Sequence, residues 1–421
     1  MDETWKHAFN VRAAAFVQGP PPVLPTDVTA VGRMIDAVQY NVLAAGMQEF
    51  AMHEETQGII LAELRTAFSP AAPPNPDVLA GKIRVASKDG LVHRAVAQSI
   101  RFHLANAIIV QDGCYVLSAL TRPNAMTQQL KDYIIFTLVE VMQGGMADLE
   151  VRCSCLQAIL TLVMPRQGFE TISFGAHNIL DVLCRCLHDF PDHRRLNEMC
   201  MMLVDCFCMS IRAGRDDSAM QLFDDASAEA LLHQNMRRHR TSSRIMNNAL
   251  CALATLNHAR PGRTCMHTAT AAAVLVVLVS HITDAVAVSN AIHALLSVMP
   301  SLIIPVTGSG GSTVPPPQTD TPVILNGAAV IPLAVAGVRC MPCTLVGKTT
   351  CVQLFHLLIL LCYHDASNVA HVVQCNALQV LVEKFKDSVV EGDAAYTPLD
   401  TEWKDYRARL EILVVAGVPL H

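Results

Sequence analysis

The sequence predicts an all-α chain, a right-handed α-solenoid (alpha-alpha superhelix) in which helical units repeat and stack. Three observations predict it. Apolar residues recur at three- and four-residue steps through most of the 421 residues, and no stretch alternates as a half-buried strand would. The composition is 52% hydrophobic but only 5% aromatic and 16% charged, with Ala, Leu, Val, Met and Cys supplying the apolar mass, which suits helix-on-helix packing. Related words also end successive helices: "AILTL", "MLVDC", "ALATL" and "ALLSV" start at 158, 202, 252 and 294, so 44, 50 and 42 residues apart, the period of a two- or three-helix repeat.

In chain order, residues 1–25 predict a short helix followed by a Pro-rich linker, "GPPPVLP". Residues 26–89 predict a helical cap or divergent repeat, with "SPAAPPNPD" (69–77) breaking the helical run. Residues 90–421 hold the repeats. "DYIIFTLVEVM", "EVRCSCLQAILTLVM", "NILDVLCRCL" and "RLNEMCMMLVDCFCM" each carry a helical apolar stripe, and short Gly, Pro or Asp connectors join them. A fifth word, "LLILL", begins at 357. It lies 63 residues after the fourth, and removing an insertion at 303–324 restores a step of about 42. That insertion contains "TGSGGSTVPPPQTDTP" (307–322), whose Gly, Pro, Ser and Thr content predicts disorder, tolerance to deletion and early proteolytic cutting.

"GAHNILDVLCRCLHDFPDHRRLNEMCMMLVDCF" (175–207) resembles an armadillo repeat, a family whose second helix opens with Gly-Ala and whose third is rich in Ala and Leu. "NGAAVIPLAV" (326–335) and "CNALQVLVEKF" (375–385) resemble two further second-helix openings. HEAT repeats share the architecture. The resemblance covers roughly residues 90–420. It implies third helices that line a concave groove, and a function in binding extended peptides or partner helices.

The net charge of −6 gives no general attraction to nucleic acid, and no membrane insertion is expected. The apolar stretches 268–283 and 323–338 predict buried helices, too short to span about 30 Å of hydrocarbon. Fifteen cysteines spread through apolar runs, with no Asn-X-Ser/Thr sequon and no signal-like N-terminus, point to a reducing compartment, the cytoplasm.

Gly347-Lys348-Thr349 spells the end of a phosphate loop, but Pro342 occupies the position of its first glycine and supplies no N–H to a phosphate cradle. The word therefore predicts the start of the fifth repeat's third helix. Cys153/Cys155, Cys184/Cys186 and Cys206/Cys208 point to different sides of their helices and predict core packing. Cys340 and Cys343 have metal-ligand spacing without a second pair. Asp224 and Asp225 predict a helix-start cap, and no hydrolase motif occurs. The expectation is no enzyme, no cofactor and no metal. "MRRHRTSSR" (236–244) predicts an inter-helix loop suited to an acidic partner or to phosphorylation at Thr241–Ser243.

The function expected is a non-enzymatic scaffold or adaptor for a protein or peptide partner, alone or as a subunit of a larger assembly. The groove positions are Ser154, Gln157 and Thr161; Glu198, Met201 and Asp205; Asn248, Cys251 and Thr255; and Asn290, His293 and Ser297. These rows are more polar than their flanks. Two alternatives stand beside it: a nucleotide switch using Gly347-Lys348-Thr349, and an importin-like carrier. For the carrier, Trp5 and Trp403 lie at the chain ends, and the ladder positions hold Thr161, Asp205, Thr255 and Ser297 where that family repeats Asn.

Overall fold

The structure, a computed structural model, describes residues 28–36, 39–69, 76–121, 126–144, 148–164, 178–212, 228–259, 274, 276–298, 327–387 and 397–416. Among the described residues every regular element is a helix. The N-terminal segment 1–25, the insertion at 303–324 and the pair Asp224/Asp225 lie outside them. The chain divides into two compact units, residues 1–190 and 191–421.

The first unit contains α1 (Val28–Asp36), α2 (Tyr40–Glu49), α3 (Glu54–Ala67), α4 (Pro76–Ser87), α5 (Leu91–Phe102), α6 (Ala107–Thr121), α7 (Gln128–Gln143), α8 (Leu149–Val163) and α9 (Ile179–Asp189). Helices α1, α3, α6 and α8 pack in succession as one row. Helices α2, α5, α7 and α9 form a second row against it, and α4 lies on α5 and α6. The region read as a cap thus contributes α1, α2 and α3 to both rows.

The second unit contains α10 (Arg194–Arg212), α11 (Ala228–Arg238), α12 (Ser243–Ala259), α13 (Ala285–Val298), α14 (Gly327–Cys340), α15 (Leu345–His364), α16 (Asn368–Gln374), α17 (Ala377–Asp387) and α18 (Thr397–Ala416). Here α10, α12, α13, α15 and α18 stack in chain order. On their flank α11 packs on α12, α14 on α13 and α15, and α17 on α14, α15 and α18. The words at 202, 252, 294 and 357 fall on α10, α12, α13 and α15, which are successive neighbours in this stack. The word at 158 falls on α8.

The stretches read as second-helix openings do start helices, and a backbone device marks them. Asn178 and Asn376 have φ of 52° and Gly90 has φ of 67°, each within a residue or so of the start of α9, α17 and α5. Only Gly, and Asn at some cost, adopts this left-handed conformation readily. Gly327, at the start of α14, answers a different demand. A Cβ there would stand 1.8 Å from Oδ1 of Asn368, which is buried and donates to the Leu361 carbonyl at 2.9 Å.

A second device repeats at the connectors. His103, His239 and His281 each stand three residues before a capping residue, Asn106, Ser242 and Asp284. Asn106 Oδ1 accepts from the Ile108 and Ile109 N–H groups, and Asp284 Oδ1 from those of Val286 and Ala287, which satisfies otherwise orphaned helix-start donors. The histidine rings reach backward. His103 Nε2 donates to the Ala51 carbonyl at 2.8 Å, His239 Nε2 to that of Pro191 at 2.8 Å, and His281 Nε2 to that of Arg240 at 2.9 Å. Lys384 does the same to the Met341 carbonyl. These bonds span 52, 48, 41 and 43 residues, about one repeat each; the histidines tie a connector to an earlier one, and Lys384 ties α17 to the connector before α15.

One described helix, through Val346–Tyr363 of α15, is long and apolar enough to cross a membrane, but 72% of that window is buried inside the protein. Its position between α13 and α18 accounts for its apolar surface.

Candidate functional site

Four of the stacked helices of the second unit, α10, α12, α13 and α15, each leave one stripe open. On α10 the stripe runs through Arg194, Glu198, Met202, Asp205 and Met209, all exposed or half-buried. On α12 it runs through Arg244, Asn247, Asn248 and Cys251; on α13 through Val286, Asn290, His293 and Ser297; on α15 through Val346, Thr349, Gln353 and His356. In the first unit, Ser154 and Thr161 are half-buried and Gln157 exposed on α8.

Two of the groove positions read from sequence are misplaced. Met201 is 0% exposed. Four residues from Glu198 overshoot a helical turn by about 40°, whereas three fall about 60° short, so Met202 holds the stripe and Met201 turns into the core. Thr255 is 5% exposed, because residues 252–256 of α12 are enclosed on all sides. Asn247 and Gln353 belong to the stripes and were not among the positions read. Their signal was Asn247 standing beside Asn248, about 100° round the helix, and Gln353 standing with His356 as the two polar residues of "CVQLFHLLILLC".

Asp205 is the chemically unusual member. Its Oδ1 is buried with no hydrogen-bond partner among the described residues, and burial raises its pKa to about 7. Asn247 Oδ1 and Gln353 Oε1 are likewise buried and unbonded. Gln353 Nε2 faces His293 Nδ1 at 3.5 Å, which joins the stripes of α15 and α13. Thr161 and Ser297 satisfy their hydroxyls on their own helices, through the Gln157 and Ala294 carbonyls at 2.9 and 2.7 Å.

Glu198 is already engaged. Arg194 Nε donates to it at 2.8 Å, the Ser242 hydroxyl at 3.0 Å, and Arg244 Nη1 stands at 4.0 Å. Its role is to tie the start of α10 to the start of α12. The segment 236–244 is correspondingly the end of α11, a tight turn and the first residues of α12. Ser242 is buried in that turn, whereas Thr241 is exposed and Ser243 half-buried.

Gly347-Lys348-Thr349 lies in the first turn of α15. The Lys348 N–H bonds the Thr344 carbonyl at 2.9 Å, as an ordinary helix start does. The Lys348 side chain is 3% exposed, and its ammonium sits 4.7 Å from the Phe385 ring centroid, pointing into the protein. The three Cys-x-Cys pairs are buried, with Cys184 and Cys206 pushed up to about 12 chiefly by burial. Cys340 and Cys343 are exposed, and no group of three or more metal-ligating side chains occurs among the described residues.

Comparison with protein-family models, with curated proteins and with solved structures found no match, so residue roles rest on this chain's own geometry.

Proposed function

We propose that the chain is an intracellular α-solenoid of armadillo-like repeats that acts as a non-enzymatic scaffold or adaptor, holding a segment of a protein partner along the polar stripes of α10, α12, α13 and α15. The stacking of α10, α12, α13, α15 and α18 in chain order, with the flanking helices on them, supports the solenoid. The observation that carries the binding reading is Asp205. A half-buried carboxylate with an unbonded oxygen costs the isolated protein free energy, and N–H donors or a cation from a partner would recover it. Asn247 and Gln353 offer the same opportunity on neighbouring helices.

The test is quantitative affinity purification of the intact chain beside an Asp205→Ala/Asn247→Ala/Gln353→Ala variant. Helical content and melting temperature are checked first. A partner enriched by the parent chain and lost from the folded variant is the expected result. Equal enrichment by both would remove the stripes as the binding face.

A further inference from the structure

Folding joins two arginine clusters that the sequence keeps apart. Residues 191–198 contribute Arg194 and Arg195, and residues 237–244 contribute Arg237, Arg238, Arg240 and Arg244. The two segments are held against each other by Arg238 Nε on Asp192 at 2.7 Å, by His239 on the Pro191 carbonyl at 2.8 Å and by Ser242 on Glu198 at 3.0 Å. The corner so formed has six arginines against two carboxylates, on a chain whose net charge is −6. The carboxylates are spent inside it: Asp192 on Arg238, Glu198 on Arg194. Arg195, Arg237 and Arg240 are all exposed, and none makes an ion pair among the described residues.

We infer that this corner is a second recognition surface, centred on Arg195, Arg237 and Arg240 and meeting the polar stripes only at Arg194, Glu198 and Arg244, which binds an acidic peptide segment of a partner protein. Like charges gathered on one rigid turn repel, and an anionic ligand offsets that repulsion. The choice of residue points to oxyanions. All six cations are arginines, whose planar forks engage carboxylates bidentately, and neither segment contains a lysine. Other anionic partners fit less well. Apart from histidine neither segment has an aromatic residue on which bases could stack, and the cluster is a compact corner, not a track along a nucleic-acid backbone. The only apolar residues in the two segments are Pro191, half-buried, and Leu196, buried, so nothing projects to enter a bilayer.

The experiment is fluorescence anisotropy of the full chain with a labelled oligoglutamate peptide, a single-stranded oligonucleotide of matched charge, and vesicles of phosphatidylserine and phosphatidylcholine, at low salt and at about 0.15 M. Expected is saturable oligoglutamate binding that survives at the higher salt. It should weaken about tenfold or more in Arg195→Gln/Arg237→Gln/Arg240→Gln, and stay within about twofold in a Lys386→Gln/Lys404→Gln control. Replacement of the same three arginines by lysine should give an intermediate loss, because charge is kept and the fork is not. Oligoglutamate binding that is absent, or unchanged in the glutamine variant, overturns the inference. So does tighter binding of the oligonucleotide or the vesicles. Because the three arginines lie outside the stripes, loss of oligoglutamate binding with partner capture retained separates this surface from the one proposed above.

Discussion

The ammonium of Lys348 stands 4.7 Å from the centroid of the Phe385 ring, and Trp403 stacks on that same ring. The two rings stack at 4.5 Å and 10°, and Arg407 covers Trp403 at 5.3 Å. The result is a cluster of two cations and two rings that fastens α15, α17 and α18 together. Cation–π contacts between desolvated groups are worth about 2 kcal/mol. Lys348→Ala should therefore lower the melting temperature and shift Trp403 emission. ATP or GTP should leave the melting curve of parent and variant unchanged. Nucleotide stabilisation of the parent that disappears in the variant would restore the phosphate-loop reading.

Glu198 and Ser242 should behave as one unit. Glu198 is 16% exposed and receives both the hydroxyl and the Arg194 guanidinium. Glu198→Ala should cost about 1–3 kcal/mol, since it leaves the buried Ser242 hydroxyl without its acceptor, while the exposed arginines turn to water. Ser242→Ala should cost less and add little on top. A double-mutant cycle in urea checks this, and strict additivity would mean that the two residues do not act together.

Acid should weaken each unit through a buried histidine. Burial lowers the pKa of His93 in the first unit to about 4; burial, then the charge of Arg237, lowers His233 in the second to about 4. The unfolded chain then takes up protons first, so stability is full above pH 6.5 and falls as pH drops toward 4. For His93, 1% exposed, the loss is on the order of 3 kcal/mol. His93→Phe should flatten this dependence for the first unit alone. Urea midpoints at several pH values that fall equally in parent and variant would exclude His93 as the cause.

Partner binding at Asp205 should be linked to protons in the same sense, but in a higher pH range. With the pKa raised to about 7, the carboxyl is substantially protonated near neutrality. A donor or cationic partner favours the charged form, so affinity should rise as pH rises through 7. Asp205→Asn should abolish that slope. Titrations at several pH values that show the same slope in both proteins would place the proton elsewhere.

The helical fold was legible because it rests on periodicity, and burial follows periodicity. The words at 202, 252, 294 and 357 located helices that stack in order, since Ala and Leu at those positions are what a close helix contact requires. The candidate face was legible only as far as helical geometry could be counted from one end. Glu198, Asp205, Asn248, Asn290 and His293 lie on open stripes, while Met201 and Thr255 do not. A 3.6-residue turn leaves an ambiguity of one position, and enclosure by neighbours is a property of the stack that one helix does not encode. The order among the histidines is hidden in the sequence for the same reason. Their spacing to the capping residue is local, but the carbonyls that give the spacing meaning lie a whole repeat away.

Those backward bonds have an orientation. In every one the donor lies later in the chain than the connector whose carbonyl it meets: His103 to Ala51, His239 to Pro191, His281 to Arg240, and Lys384, on α17, to Met341. A chain leaving the ribosome exposes its acceptors before the side chains that seek them have been made. Each of these four donors therefore arrives at a seat already prepared, and none of them waits for an acceptor not yet synthesised. Truncation is unequal at the two ends. A fragment ending early leaves only carbonyls that water can serve, whereas one beginning late keeps a ring or an ammonium aimed at a missing neighbour. Growth from the N-terminus is thus the direction in which these four ties can close as soon as their donors are made.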